Sequence, residues 1–379
     1  MMGILRRPGA DGLTQTILLA AGGTGGHLFP ATALAQELTR RGFAVELATD
    51  ERAGQYGTDF PARATYEVPS ATFSGRSPGA VMKTLSTLGK GYFRARRLLE
   101  MVQPHVVVGF GGYPTLPPLL AARSLAIPTV LHEQNAVMGR ANRLLSRFAD
   151  AIALSFATTK HLRRSAEKRS VVTGNPVRDA VVGFRDQDYA PPEAAGRLLL
   201  LIFGGSQGAR FFSEMMPEAL ARLPSPLRWR LTVVQQARPE DVAEVRDAYR
   251  EAEITAHVAP FFKDLPERIA NSHLIVSRAG ASTVAEVTAI GRPAILVPLP
   301  HAIDNDQLEN ARRLEESGGG WCMHQSSISP EFLAGRLEEL LANPDRLAQA
   351  AAKSKAMGNV YAVNRLADLV ADLAGPDGA

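Results

Sequence analysis

The apolar residues of this chain gather into short unbroken runs. Residues 16–21 (TILLAA), 44–48, 106–110, 129–132 and 151–154 form one set, and 198–203 (LLLLIF), 230–234, 273–277 and 294–298 form a second. Short runs without apolar-polar alternation belong to strands covered on both faces, as in a parallel sheet between helices. Helix-length segments separate them, beginning with 29–41. Each set opens on the same order of strand, glycine-rich turn (22–26, then 204–208) and helix, which is the start of a βαβ unit. The pattern therefore predicts α/β architecture, with two doubly wound domains facing each other. The boundaries expected are 1–175 and 176–379. Residues 183–196 (GFRDQDYAPPEAAG), rich in Pro, Gly and charge, read as part of the connection. Residues 329–373 are helical in pattern, and the last helix is left free to pack back on the first domain. Domains of this kind bind small molecules at the carboxyl ends of their strands.

Composition narrows the class. A chain of 379 residues suits two domains, and 45% hydrophobic with 21% charged residues excludes disordered, collagenous and coiled-coil chains. Cys322 is the single cysteine, which rules out an internal disulfide and a thiolate metal cluster and fits a reducing compartment. Residues 1–15 carry Arg6 and Arg7 with no apolar run behind them, and 198–203 is far too short to cross a bilayer. Neither a signal peptide nor a transmembrane anchor is expected. The net charge of +4 is small but uneven: Arg76, Lys83, Lys90, Arg94, Arg96 and Arg97 fall between Glu67 and Glu100 without one acid.

Three glycine-containing turns carry the candidate chemistry. In 22–27 (GGTGGH) the glycines admit a ligand close to the backbone, and the following helix offers amides to it. A dinucleotide fingerprint, with Asp50 as the ribose acid, fails because Leu28 stands where a third glycine is needed. His27 reads either as a helix-capping residue or as a proton acceptor at the turn's mouth. In 204–208 (GGSQG) Ser206 is suited to a phosphate, although a tight strand-to-helix turn would look the same. In 277–286 (SRAGASTVAE) small residues clear the start of a helix where a diphosphate would be stabilised, and Glu286 follows either as a capping acid or as a ribose acceptor. The cluster His132-Glu133-Gln134-Asn135 lies at a strand end; Ala136 excludes a zinc protease motif. The acid pairs Asp186/Asp188 and Asp304/Asp306 imitate a metal motif of other transferases. With helix amides and Arg178 available to the phosphates, no metal and no cofactor are expected.

Taken together, GGTGGH at 22–27, GFGGYPTLPP at 109–118, LHEQN at 131–135, GNPVR at 174–178, GGSQGAR at 204–210, SRAGASTVAE at 277–286 and DNDQ at 304–307 spell out a pattern. It resembles the glycosyltransferase family 28 enzymes that make the second lipid intermediate of peptidoglycan, over about residues 16–373. The resemblance implies a GT-B fold, two Rossmann-like domains separated by a deep cleft. It also implies inverting transfer of N-acetylglucosamine from its UDP donor to the 4-hydroxyl of an undecaprenyl-linked muramyl pentapeptide. On that pattern Thr24, Gly25 and Gly26 line the cleft, Asn135 and Arg178 contact the donor, and Ser206 meets its phosphates. Ala281, Ser282, Thr283, Val284, Ala285 and Glu286 hold phosphate and ribose, the backbone near Phe262 reads uracil, and Gln307 binds the sugar. His27 and Glu133 are the catalytic candidates, His27 as general base.

The chain departs from the pattern at Ala279, Ser282 and Phe262, and in the loop 73–78, which bears on how that loop meets the acceptor. Val81, Leu85, Leu88, Tyr92 and Phe93 interleave with Lys83, Lys90, Arg94, Arg96 and Arg97. The stretch reads as a membrane-surface segment, an ordinary packed helix or a nucleic-acid patch; a lipid-borne acceptor favours the first. The expected setting is peripheral, on the cytoplasmic face of the inner membrane, with cell-wall synthesis and division proteins as possible partners and no nucleic acid. The rival reading keeps the UDP-sugar site but changes the acceptor or makes the enzyme an epimerase.

Overall fold

The structure, a computed structural model, describes residues 15–22, 24–51, 60–71, 77–204, 210–300 and 302–375. The chain divides into two compact units. The first comprises residues 1–134, 138–176 and 361–379, and the second 135–137 and 177–360.

Unit 1 begins β1 (Thr16–Ala20), α1 (Gly25–Arg40), β2 (Ala44–Thr49), β3 (Ala64–Glu67), α2 (Pro78–Val102) and β4 (Val106–Gly109). It continues α3 (Leu116–Ser124), β5 (Thr129–Glu133), α4 (Arg140–Leu145), β6 (Ala151–Leu154), α5 (Arg164–Glu167) and β7 (Ser170–Val172). All seven strands are parallel, in the order β3-β2-β1-β4-β5-β6-β7. The apolar runs supply its centre: Ile17 and Leu19 point to one face, Leu18 and Ala20 to the other, and each face has its own buried cluster.

Unit 2 begins α6 (Asp179–Val182), β8 (Leu198–Phe203), α7 (Arg210–Ala221), α8 (Ser225–Arg228), β9 (Leu231–Gln236), α9 (Val242–Glu251) and β10 (Thr255–Ala259). It continues α10 (Leu265–Asn271), β11 (Leu274–Ser277), α11 (Ala281–Ile290), β12 (Ala294–Leu296), α12 (Asp306–Ser317) and β13 (Gly320–Cys322). Helices α13 (Pro330–Leu341) and α14 (Pro344–Met357) complete it. Its six parallel strands run β10-β9-β8-β11-β12-β13.

The last helix, α15 (Ala362–Ala374), belongs to unit 1. Leu366, Ala367 and Val370 enter the cluster built on Leu34 and Leu38 of α1, each large apolar side chain contributing about 1.5 to 3 kcal/mol on burial. Arg41 reaches Asp368 at 2.6 Å, and the Asn364 amide donates to Glu37 at 3.1 Å.

The segment 183–196 differs from the expected connection. The chain enters unit 2 at Val177, and this polar stretch is fastened within that unit. The Tyr189 hydroxyl donates to the His273 carbonyl at 2.9 Å, and the buried Arg292 guanidinium donates to the carbonyls of Gln187 and Asp188. The missing apolar period was misleading because polar contacts hold much of this segment: its own carbonyls accept from Arg292, and its Tyr189 and Arg185 side chains donate to carbonyls elsewhere in the unit.

Candidate functional site

In unit 1 the strand order turns back between β1 and β4, and the chain leaves both strands at this place through glycine-containing turns. Such reversals are where doubly wound sheets open to ligands. Helix α1 starts at Gly25, earlier than the apolar pattern indicated, so His27 lies in its first turn. Thr24 immediately precedes the helix, and its Oγ1 stands 2.9 Å from His27 Nδ1. The imidazole fits because its neighbours lack side chains: a Cβ on Gly112 would lie 3.2 Å from His27 Cε1, and one on Gly22 would lie 3.5 Å from Nδ1. Gly112 also has φ +76°, which a side-chain-bearing residue adopts only with strain. Gly25 is buried, while Gly26 is exposed beside His27.

The polar cluster at the end of β5 has a different character from the open constellation expected. His132 is fully buried; its Nε2–H donates to the Gly174 carbonyl at 3.1 Å, and burial pushes its pKa down to about 4. Glu133 is also buried, and its Oε2 accepts from the Gly139 amide at 2.9 Å and from Asn142 Nδ2 at 2.8 Å. Gln134 donates to the Phe110 carbonyl at 2.7 Å, fixing the turn that leads to Gly111 and Gly112. These three side chains hold loops. The sequence placed them at a strand end but did not reveal that they point inward.

In unit 2 the corresponding reversal lies between β8 and β11. The turn after β8, with Ser206, lies outside the described residues. After β11, Gly280 precedes α11 in extended conformation and, having no side chain, does not cap the helix. The first-turn amides of an α-helix have no intrahelical acceptor and carry the positive end of its dipole, so this start suits an anion. Ser282 and Thr283 are partly exposed there, whereas Ala281 and Val284 are buried and Val284 packs in the core; Ala285 is partly buried. Of the segment 281–286, the helix start and Glu286 carry the polar chemistry.

Glu286 and Arg178 meet each other. Both Nε and Nη2 of Arg178 donate to Glu286 Oε1, at 3.2 and 2.7 Å, with the Glu286 side chain only 6% exposed. Phe262 is buried beneath Arg268, whose guanidinium carbon lies 4.3 Å from the ring centre, so its side chain is committed to packing. The Gln307 side chain accepts from the Leu299 amide at 2.9 Å, and Asp304 and Asn305 before it both adopt left-handed backbone. Burial raises the pKa of Asp306 from its ordinary value.

Two residues given no role in the sequence reading organise this region. Asn310, fully buried, donates to Asn135 Oδ1 at 3.0 Å and to the Ala279 carbonyl at 3.1 Å, and accepts from the Ala136 amide. Arg278 donates to the carbonyls of Val297 and Pro298 and to Gln325. Both lie within or beside motifs quoted above, but residue type alone did not distinguish a holding role from binding. Among the described residues, no three His, Cys, Asp or Glu side chains converge as a metal site.

On α2, Ala95, Leu98 and Leu99 are buried, and Gly91 lets the helix approach so closely that a Cβ there would lie 2.1 Å from the Pro69 carbonyl oxygen. The opposite side exposes Met82 (69%), Leu85 and Phe93 (66%) beside Lys83, Lys90, Arg94 and Arg97. Arg96 is partly buried and pairs with Glu100 at 3.0 Å; the side chain of Val81 lies outside the described residues. No helix among the described residues is long and apolar enough to cross a membrane.

Two parallel-sheet α/β units, each turning back at a glycine-containing strand end, define the GT-B class of glycosyltransferase. The N-terminal and C-terminal domain models of glycosyltransferase family 28 match residues 17–154 and 199–368. A UDP-N-acetylglucosamine--N-acetylmuramyl-(pentapeptide) pyrophosphoryl-undecaprenol N-acetylglucosamine transferase of Methylobacterium sp. (strain 4-46) is 55% identical over 359 residues, 94% of this chain and 96% of that one. A protein of the same name from Chelativorans sp. (strain BNC1) is 51% identical over 360 residues, 95% of this chain and 96% of its own. The crystal structure of MurG from Acinetobacter baumannii superposes with a TM-score of 0.74 at 32% identity, covering 94% of this chain and 99% of that one. The chain belongs to glycosyltransferase family 28 and, within it, to the family of these N-acetylglucosamine transferases.

Proposed function

We propose that this enzyme transfers N-acetylglucosamine from UDP-N-acetylglucosamine to the 4-hydroxyl of undecaprenyl-pyrophosphoryl-N-acetylmuramyl-pentapeptide, the step from the first to the second lipid intermediate of peptidoglycan. The observation that carries the reading is the uncapped start of α11 followed by the Arg178–Glu286 pair, in a chain of this family. The α11 amides, with Ser206, neutralise the diphosphate of the departing UDP. Glu286 accepts from the ribose hydroxyls, the backbone at Phe262 reads uracil, and Gln307 and Asn135 bind the sugar. In unit 1, His27 takes the proton from the attacking hydroxyl; Gly25 and Gly26 line the site, and a Cβ on exposed Gly26 would meet nothing within 4 Å. The buried bonds of Glu133 support a positioning role for that carboxylate through Gly139 and Asn142.

The acceptor's polyprenyl chain stays in a bilayer, so the enzyme works at its surface. The exposed strip of α2, with Met82, Leu85 and Phe93 flanked by Lys83, Lys90, Arg94 and Arg97, fits the interface of an anionic membrane, and Arg96 adds charge beside it. The strip supports a peripheral setting on the cytoplasmic face of the inner membrane, with cell-wall synthesis and division proteins as neighbours. Reversing Arg94, Arg96 and Arg97 to Glu is expected to release the protein from anionic vesicles; unchanged association would remove this role from α2.

Transfer of radiolabelled sugar from UDP-N-acetylglucosamine to a short-chain lipid acceptor tests the reaction, with UDP-glucose and UDP-N-acetylgalactosamine as controls. Preference for another donor, or release of an epimerised sugar without transfer, would sink the reading.

A further inference from the structure

We propose that Thr24 sets the tautomer of His27: the threonine oxygen accepts a hydrogen bond from Nδ1–H, leaving the lone pair on Nε2 for the acceptor's proton. The inference rests on His27 as general base. At 2.9 Å, Thr24 Oγ1 and His27 Nδ1 are hydrogen-bonded, and a hydroxyl can serve on either side of such a bond. Neutral imidazole carries one N–H, so the bond's direction decides which nitrogen is basic. If the hydroxyl donated, Nε2 would hold the proton and could not accept another. If the hydroxyl accepts, Nε2 is the acceptor, and the bond persists as a stronger, charge-assisted one once the ring becomes imidazolium.

The surroundings hold ring and hydroxyl in register. Thr24 donates its amide to the Gly22 carbonyl at 2.8 Å, and its own carbonyl accepts from the amides of His27 and Leu28 at 3.0 and 2.9 Å. Both side chains therefore spring from one fixed turn at the start of α1. The glycines at 22 and 112 bound the Nδ1–Cε1 edge of the ring, the edge turned to Thr24. The step balances without a further reactant: the acceptor O–H breaks and its proton goes to Nε2, the O–C1 bond forms, and the C1–O bond to phosphate breaks with its electron pair leaving on UDP. Thr24 is thus a positioning residue, in contrast to the substrate contact that family resemblance implies.

The test uses the full chain labelled with 15N-histidine, the His27 signals being assigned by their loss in His27→Gln. Above the ring's titration, the wild type is expected to show a protonated Nδ1 and an unprotonated Nε2. In Thr24→Val, nearly identical in shape, the population should move toward Nε2–H and kcat should fall about 10-fold or more with the donor KM unchanged. Thr24→Ser should restore both signals and rate. A wild-type ring protonated on Nε2 overturns the proposal. So does a Thr24→Val enzyme that keeps tautomer and rate, or one that changes only the donor KM. Full turnover by His27→Ala would instead overturn the base assignment itself, a failure the Thr24 variants do not mimic.

Discussion

The turns at the starts of α1 and α11 occupy equivalent places, each at a strand end where sheet order reverses, yet they are furnished for different work. The first carries a titratable ring seated among glycines and bonded to Thr24. The second has no ionisable side chain in its first helical turn and leaves its helix start uncapped. On the proposed function, one topology therefore serves proton transfer in one unit and anion binding in the other. The choice is made by a few side chains: a histidine needs room and a tautomer partner, whereas a diphosphate needs amides and no competing acid.

The comparison can be broken at either turn. The largest effect is expected from His27→Ala, a fall in kcat of about 10²- to 10⁴-fold with UDP affinity nearly unchanged by calorimetry. Substantial loss of UDP affinity would mean that the first turn also binds the donor. Next comes acid stability. The pKa of buried His132 falls from an ordinary 6.5 to about 4, so between those values the unfolded chain takes up a proton that the folded chain refuses. Stability from this group is present above about pH 6.5 and is lost as pH falls toward 4, by on the order of 3 kcal/mol. Denaturant melts across this range should flatten in His132→Gln, and an unaltered pH slope would assign the acid sensitivity elsewhere.

Two changes sharpen the second turn. Glu286→Ala removes the carboxylate partner of Arg178 and is expected to weaken UDP binding about 10- to 100-fold, the value of hydrogen bonds to a charged group. Affinity for 2′,3′-dideoxy-UDP should change far less, and equal losses for both ligands would disprove ribose recognition. The smallest effect is expected from Gly280→Asp. An aspartate at this position caps α11 and stabilises the fold by about 1 kcal/mol, while its charge opposes the diphosphate and weakens UDP several-fold. A variant that melts higher and binds UDP more weakly would separate helix capping from ligand binding; unchanged affinity would remove α11 from the phosphate site.

The sequence determined the central strands, because a strand covered on both faces must be apolar along its whole length; β1, β4, β5, β8 and β11 were legible for that reason. It also determined the positions of the glycine turns and the family motifs. It did not reveal β3, β7, β10 and β13, the strands at the ends of the two sheets. Their side chains are partly exposed, as in Ala64–Glu67 and Thr255–Ala259, so they lack the continuous apolar signal. Residue type and motif marked His27, Glu133, Arg178 and Glu286 as candidates for chemistry. Only the tertiary structure decided that Glu133 faces Gly139 and Asn142, that Arg178 grips Glu286, and that Asn310 links Asn135 to Ala279. The reason is physical: a polar side chain has the same letter whether it awaits a substrate or satisfies a buried partner, and the distinction rests on which distant residues the fold brings within hydrogen-bonding distance.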